Sequence, residues 1–263
     1  MKAITANGLV LHADDYGPRD GLPLVFSNSL GTDYRVWDPL LPHLPDGLRL
    51  IRYDKRGHGL STCPDAPYAI TDHMKDLADL MDVLEVSGAI IVGLSVGGLI
   101  AQSLAAARPD LVKGLVLCDT GHKIGTPDIW NPRIEAVEKG GIAALGDATM
   151  ERWFSKSFHT NRPDDLALWR AMLTRTPAQG YIGTCAAIRD ADLTASSSAL
   201  DLPTVCIVGS EDTATTPDLV RSMAKLIGGH FVEIDGAGHL PCVDAPETLA
   251  GIIKSFLQEH RFV

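Results

Sequence analysis

Two hydrophobic rhythms alternate along the chain. Short, nearly continuous apolar runs are separated by longer stretches in which apolar residues return every three or four positions. That alternation predicts a mainly parallel sheet, its strands buried on both faces and covered by helices. An opening hairpin is expected from Lys2–Thr5 and Leu9–Ala13, joined at Asn7-Gly8, a dipeptide suited to a tight turn. Strands follow at Pro23–Ser27, Leu48–Tyr53, Ala89–Val92 and Gly114–Cys118, with two more at Thr204–Val208 and Phe231–Ile234. Leu48–Tyr53 is the exception among them, because Arg49 and Arg52 interrupt it. From Thr71 to Leu84 the residues Met74, Leu77, Ala78, Met81 and Leu84 form one helical stripe, and Asp72 and Asp76 near its start suit the helix dipole. Pro246-Glu247 opens a last helix whose inner face is expected from Leu249, Ile252, Ile253 and Phe256.

One region breaks the alternation. Residues 123–198 hold no strand-like run, only helical patterns and three of the four tryptophans, Trp130, Trp153 and Trp169. An all-helical insert between two sheet strands predicts a cap (residues 123–198) over a core formed by residues 1–122 and 199–263. Plain packing helices at the sheet edge are the simpler alternative. The length, 263 residues, suffices for such a core and insert.

Charge and cysteine content narrow the classes. The net charge of −10 argues against nucleic acid and anionic membrane surfaces as partners. No apolar run is long enough to span a bilayer, and Met1–Thr5 shows no signal-peptide core. Five cysteines without a CxxC pair suit free thiols in a reducing compartment, so a cytoplasmic protein is expected.

The candidate chemistry begins at Gly93-Leu94-Ser95-Val96-Gly97, a GxSxG pattern. The pattern alone is weak, but here it follows a buried strand and precedes a helix expected over Gly98–Ala107. A turn that sharp lifts a serine hydroxyl above the sheet, and Ser95 is the expected nucleophile. Of nine histidines, His239 in Gly236-Ala237-Gly238-His239-Leu240-Pro241 lies just after the last strand, at the sheet edge where Ser95 also sits. His58, in Asp54-Lys55-Arg56-Gly57-His58-Gly59, is the rival, although that stretch reads as a tight turn packed beneath the site. The acid should follow the penultimate strand, where Glu211 and Asp212 are adjacent. Asp212 is preferred for its Gly-x-x-Asp spacing and its shorter, stiffer side chain. The order Ser95, Asp212, His239 is the one expected of α/β-hydrolases. Backbone N–H groups of Leu30 and Val96 would form the oxyanion hole.

The chain resembles the 3-oxoadipate enol-lactonases of aromatic-ring degradation (the β-ketoadipate pathway). Matching core segments are Ser27-Asn28-Ser29-Leu30-Gly31-Thr32, Tyr53–Ser61 and Gly93–Gly98. In the insert the matches are Trp130-Asn131-Pro132-Arg133-Ile134, Arg152-Trp153-Phe154 and Cys185–Leu193. The core motifs are common to many hydrolases, so Asn28-Ser29 and the insert carry the specificity of the match. The resemblance implies an α/β-hydrolase fold with a helical cap, no cofactor and no metal, and a small-molecule lactone as substrate. It implies opening of 3-oxoadipate enol-lactone to 3-oxoadipate. A carboxylesterase or perhydrolase-like enzyme with the same triad is the alternative, and a ligand receptor on the same fold a more distant one. The expected lactone carries a carboxylate, so the cap should supply a cation. Arg133, beside Trp130, is the first candidate, and Arg152, beside Trp153, the second.

Overall fold

The computed structural model describes residues 1–263. Eight strands form one sheet: β1 (Lys2–Ala6), β2 (Leu9–Tyr16), β3 (Pro23–Ser27), β4 (Arg49–Tyr53), β5 (Ala89–Leu94), β6 (Val112–Cys118), β7 (Thr204–Gly209) and β8 (His230–Ile234). Their order across the sheet is β1-β2-β4-β3-β5-β6-β7-β8. Only the β1–β2 and β2–β4 pairings are antiparallel; every pairing from β4 to β8 is parallel. This is the α/β-hydrolase fold. The parallel strands β5 and β7, each flanked by a strand on either side, are buried at every position, as parallel strands covered on both faces must be.

The arginines that interrupt β4 are explained by its antiparallel neighbour. Strand β2 runs on to Tyr16, beyond the expected Ala13, and this brings Asp14 and Asp15 alongside β4. Arg49 Nε donates to Asp15 Oδ1 at 2.9 Å and Arg52 Nη2 to Asp14 Oδ2 at 2.7 Å. Two buried guanidinium groups are therefore paired rather than stranded, which a buried charge requires.

The helices are α1 (Ile70–Val83), α2 (Val96–Ala107), α3 (Pro127–Gly140), α4 (Gly146–Trp153), α5 (Lys156–Asn161), α6 (Pro163–Thr174), α7 (Ala178–Asp190), α8 (Thr194–Ser198), α9 (Pro217–Ile227), α10 (Pro241–Asp244) and α11 (Pro246–Glu259). Helix α1 buries Met74, Leu77, Ala78 and Met81, and the Asp72 carboxylate caps its start by accepting from Ala69 N–H at 2.8 Å. In α11 the buried face is Leu249, Ala250, Ile253, Phe256 and Leu257; Ile252, expected on it, is only half-buried, one step around the helix. Helix α2 begins at Val96 rather than Gly98, directly against Ser95.

Between β6 and β7 the secondary structure is all helical, α3 to α8 with one short 3₁₀ turn. Helix α7 lies against α1: Thr184 Oγ1 is 3.3 Å from His73 Nε2. At the end of the insert, α8 is tied to α2 by Ser197 Oγ, which donates to Gln102 Oε1 at 2.8 Å. The insert thus rests on the core at both α7 and α8.

Candidate active site

Parallel pairing brings the carboxyl ends of β5 through β8 to one edge, and the chemistry-bearing side chains follow those ends. Ser95 comes directly after β5 with φ 56° and ψ −118°, a backbone conformation that residues other than glycine rarely adopt. Holding a residue there costs about 1–3 kcal/mol and occurs where the surroundings enforce it. Here the surroundings are tight. A Cβ on Gly93 would come 2.6 Å from the Gly97 carbonyl oxygen, and one on Gly97 would collide with the carbonyl oxygen of Ser27. Ser95 N–H donates to Cys118 O at 3.0 Å, and Thr120 Oγ1 donates to Ser95 O at 2.7 Å, so both sides of the turn are pinned.

Asp212 follows β7 and His239 follows β8. His239 Nδ1 lies 2.8 Å from Asp212 Oδ2, and both side chains are buried. The carboxylate also accepts from Thr215 Oγ1 at 2.6 Å, Ala214 N–H at 2.7 Å and Thr215 N–H at 3.1 Å. Burial pushes the Asp212 carboxyl upward, but His239 and the bonds from Thr215 outweigh it and hold the group below its ordinary value. An ionised Asp212 fixes the Nδ1–H tautomer of His239 and leaves Nε2 free to take a proton. Ser95 Oγ makes no hydrogen bond to His239 here; the two residues meet as walls of one cavity. Asp119, Asp212 and His239 have the mutual spacing of metal ligands. Asp212 and His239 already hold each other, however. Glu211 points elsewhere, its Oε2 accepting from Lys156 N–H of the insert at 2.9 Å.

The loop 28–32 after β3 is braced from below. Gly31 N–H donates to His58 Nε2 at 3.0 Å, and His58 Nδ1 donates to Arg56 O at 3.1 Å. Burial first, then the Lys55 charge, keeps His58 neutral, its value well below the ordinary one. Lys55 Nζ donates to Ser29 O at 2.5 Å and to Thr32 O at 3.2 Å. His58 is therefore a support beneath the site, as its tight turn suggests. The buried lysine is a support that the sequence pattern did not reveal. The N–H groups of Leu30 and Val96 donate to no other group of the chain, as oxyanion donors must in a free enzyme.

The cavity above this constellation has a volume of about 210 Å³ and is walled by Ser29, Leu30, Ser95 and His239 from the core. From the insert come Trp130, Arg133, Arg152, Trp153 and Tyr181. All four insert residues expected at the site are present. Val96, expected as the second oxyanion donor, is not among the residues that wall the cavity. The Arg133 guanidinium sits 5.2 Å from the centre of the Trp130 ring, and Arg152 Nη2 donates to Thr149 Oγ1 at 3.1 Å. Neither is bridged to a carboxylate, whereas Arg49, Arg56 and Arg108 each are. Burial, and then the neighbouring Arg133 charge, push the Arg152 guanidinium below its ordinary value.

A family model described as the alpha/beta hydrolase family matches residues 24–252. The chain belongs to that family. This hydrolase is 34% identical over 251 residues to 3-oxoadipate enol-lactonase 1 of Acinetobacter baylyi, covering 95% of this chain and 94% of the relative. Among solved structures it superposes on the enol-lactonase of Burkholderia xenovorans LB400 with a TM-score of 0.94 at 35% identity, covering 98% and 100% of the two chains. It also superposes on a thermophilic esterase from Thermogutta terrifontis with a TM-score of 0.90 at 28% identity, covering 98% and 96%. No helix of the hydrolase is long and apolar enough to cross a membrane.

Proposed function

We propose that this hydrolase opens 3-oxoadipate enol-lactone to 3-oxoadipate within the β-ketoadipate pathway, without a cofactor, using Ser95, His239 and Asp212 as a triad. The observation that carries this reading is the pair Arg133 and Arg152. Two cations without carboxylate partners share a small cavity with Ser95 and His239. In a chain of net charge −10 that local positive charge suits a substrate bearing both a reactive ester and a carboxylate.

In this mechanism Ser95 Oγ attacks the lactone carbonyl while its proton passes to His239 Nε2. The developing oxyanion lies between the N–H groups of Leu30 and Val96. Collapse breaks the ring C–O bond and releases an enolate, a better leaving group than an ordinary alkoxide, and the proton held on His239 Nε2 passes to it, returning His239 to its neutral form. The demand on His239 as general acid is correspondingly modest. Water, deprotonated by His239, then cleaves the acyl-enzyme. The free state of all five cysteines suits a cytoplasmic setting.

The likeness to an esterase keeps a broader carboxylesterase as the second reading. The test is turnover of the enol-lactone beside a simple aryl ester. A strong preference for the lactone in kcat/KM supports the lactonase; equal or better turnover of the aryl ester favours the esterase.

A further inference from the structure

Four adjacent strands, β5 to β8, are followed by Ser95, Asp119, Asp212 and His239, one in the loop after each. The proposed mechanism uses three of these and leaves Asp119 without a role. Asp119 is wholly buried and has φ +46°, so the chain holds it, like Ser95, in the left-handed region. Its N–H donates to Ile207 O at 2.8 Å, and its Oδ1 accepts from Gly209 N–H at 2.9 Å. Its Oδ2 is buried and has no partner. One of its carboxyl oxygens, one of Asp212 and a ring nitrogen of His239 lie within 4.8 Å of one another.

Two carboxyl groups this close and this deeply buried do not both ionise. Asp212 has four hydrogen bonds to stabilise a negative charge. Asp119 has one. The charge therefore resides on Asp212, and Asp119 keeps its proton. Burial, and then the Asp212 charge, push the Asp119 carboxyl well above its ordinary value.

We propose that Asp119 is a reserve acid of this site, neutral while Asp212 is ionised and placed to orient His239 when the Asp212 carboxylate is lost. This rests on the triad reading above. Removing the Asp212 carboxylate also removes the like charge that keeps Asp119 protonated. Asp119 then releases its proton to solvent, one negative charge remains beside the imidazole, and the Nδ1–H of His239 donates to Asp119 instead. The replacement must vacate the space. Asp212→Ala does so, whereas Asp212→Asn leaves an amide in it.

The experiment compares Asp212→Ala with the double variant Asp212→Ala/Asp119→Asn. The expected result is a loss in kcat for Asp212→Ala of about 10- to 100-fold, and for the double variant of about 10⁴-fold, the usual cost of a mis-set histidine tautomer. Proton NMR supplies a readout that a purely structural role would not move: the far-downfield His239 Nδ1 proton persists in Asp212→Ala and vanishes in the double variant. If the double variant does not fold, that proton in Asp212→Ala decides alone, its presence supporting the proposal and its absence overturning it. Equal activity loss in both variants, with the downfield proton missing from both, overturns the reserve acid and leaves the triad standing. Activity that survives in Ser95→Ala overturns the triad reading and this inference together.

Discussion

Lys55 donates its Nζ to the carbonyl oxygen of Ser29 at 2.5 Å, joining a wholly buried amine to the loop that carries Leu30. Burial pushes this lysine from its ordinary 10.5 down to about 7, against the opposing pull of Asp54 and Asp33. The unfolded chain keeps the proton up to 10.5, so between about 7 and 10.5 the unfolded state binds more protons than the folded one. Unfolding free energy must then rise with pH across that window, by up to about 1.4 kcal/mol per pH unit from this group. Below about 7 both states are charged and the slope disappears. Lys55→Met lacks the slope. Urea unfolding at about pH 6.5 and about pH 9 should show the stability difference moving in favour of Lys55 as pH rises. A difference that does not change with pH would mean that the buried amine has no depressed value.

Ser95 has the strained backbone and the cavity position of a nucleophile. Ser95→Ala should fold normally and lose roughly a millionfold in kcat, as triad serines do. A folded variant with substantial residual turnover would remove Ser95 from the role.

The adjacent acids should separate cleanly, because Asp212 faces His239 while Glu211 caps a backbone N–H of the insert. Asp212→Asn is expected to cost on the order of 10⁴-fold in kcat by mis-setting the His239 tautomer. Glu211→Gln should change kcat little, and its effect belongs in thermal stability. Steady-state rates on one substrate decide, and the reverse ranking would reassign the acid.

Much of this was legible in the chain, and the remainder has identifiable causes. Strand centres followed from apolar runs such as Ala89–Val92, because burial on both faces leaves no alternation to misread. Strand ends were less legible. Tyr16 closes β2 because Asp14 and Asp15 answer Arg49 and Arg52 across the sheet, a pairing between segments far apart in sequence. Ser95 and His239 stand in glycine-rich turns with local signatures, so they were readable. Asp119 has no such signature. It is one polar residue after the apolar run of β6, and its importance arises only because β6 lies between β5 and β7. Lys55 was hidden for the opposite reason, since a lysine in a turn motif reads as solvated until the loop 28–32 is seen closing over it.

The remaining prediction concerns Arg133 and Arg152, which wall the cavity without carboxylate partners of their own. Trp130 already engages Arg133 through its ring face, a contact that holds the guanidinium in place without neutralising it. A substrate carboxylate seated there would gain a charge-assisted pair contributing about 1.5–3 kcal/mol. Losing that pair should lower kcat/KM for the enol-lactone by about 10- to 150-fold, at about 1.4 kcal/mol per tenfold. An uncharged aryl ester makes no use of it, so its turnover should hardly change. Methionine is the suitable replacement because it keeps much of the side-chain length and removes only the charged, forked end. Arg152→Met carries a second expectation. Its guanidinium is pressed downward by burial and by Arg133, so its removal relieves repulsion in the free enzyme. The variant should therefore melt no lower than the parent even as lactone turnover falls. Both substrates are to be measured with Arg133→Met and Arg152→Met. Equal losses on lactone and ester, or no loss on either, would show that the arginine in question does not anchor the carboxylate.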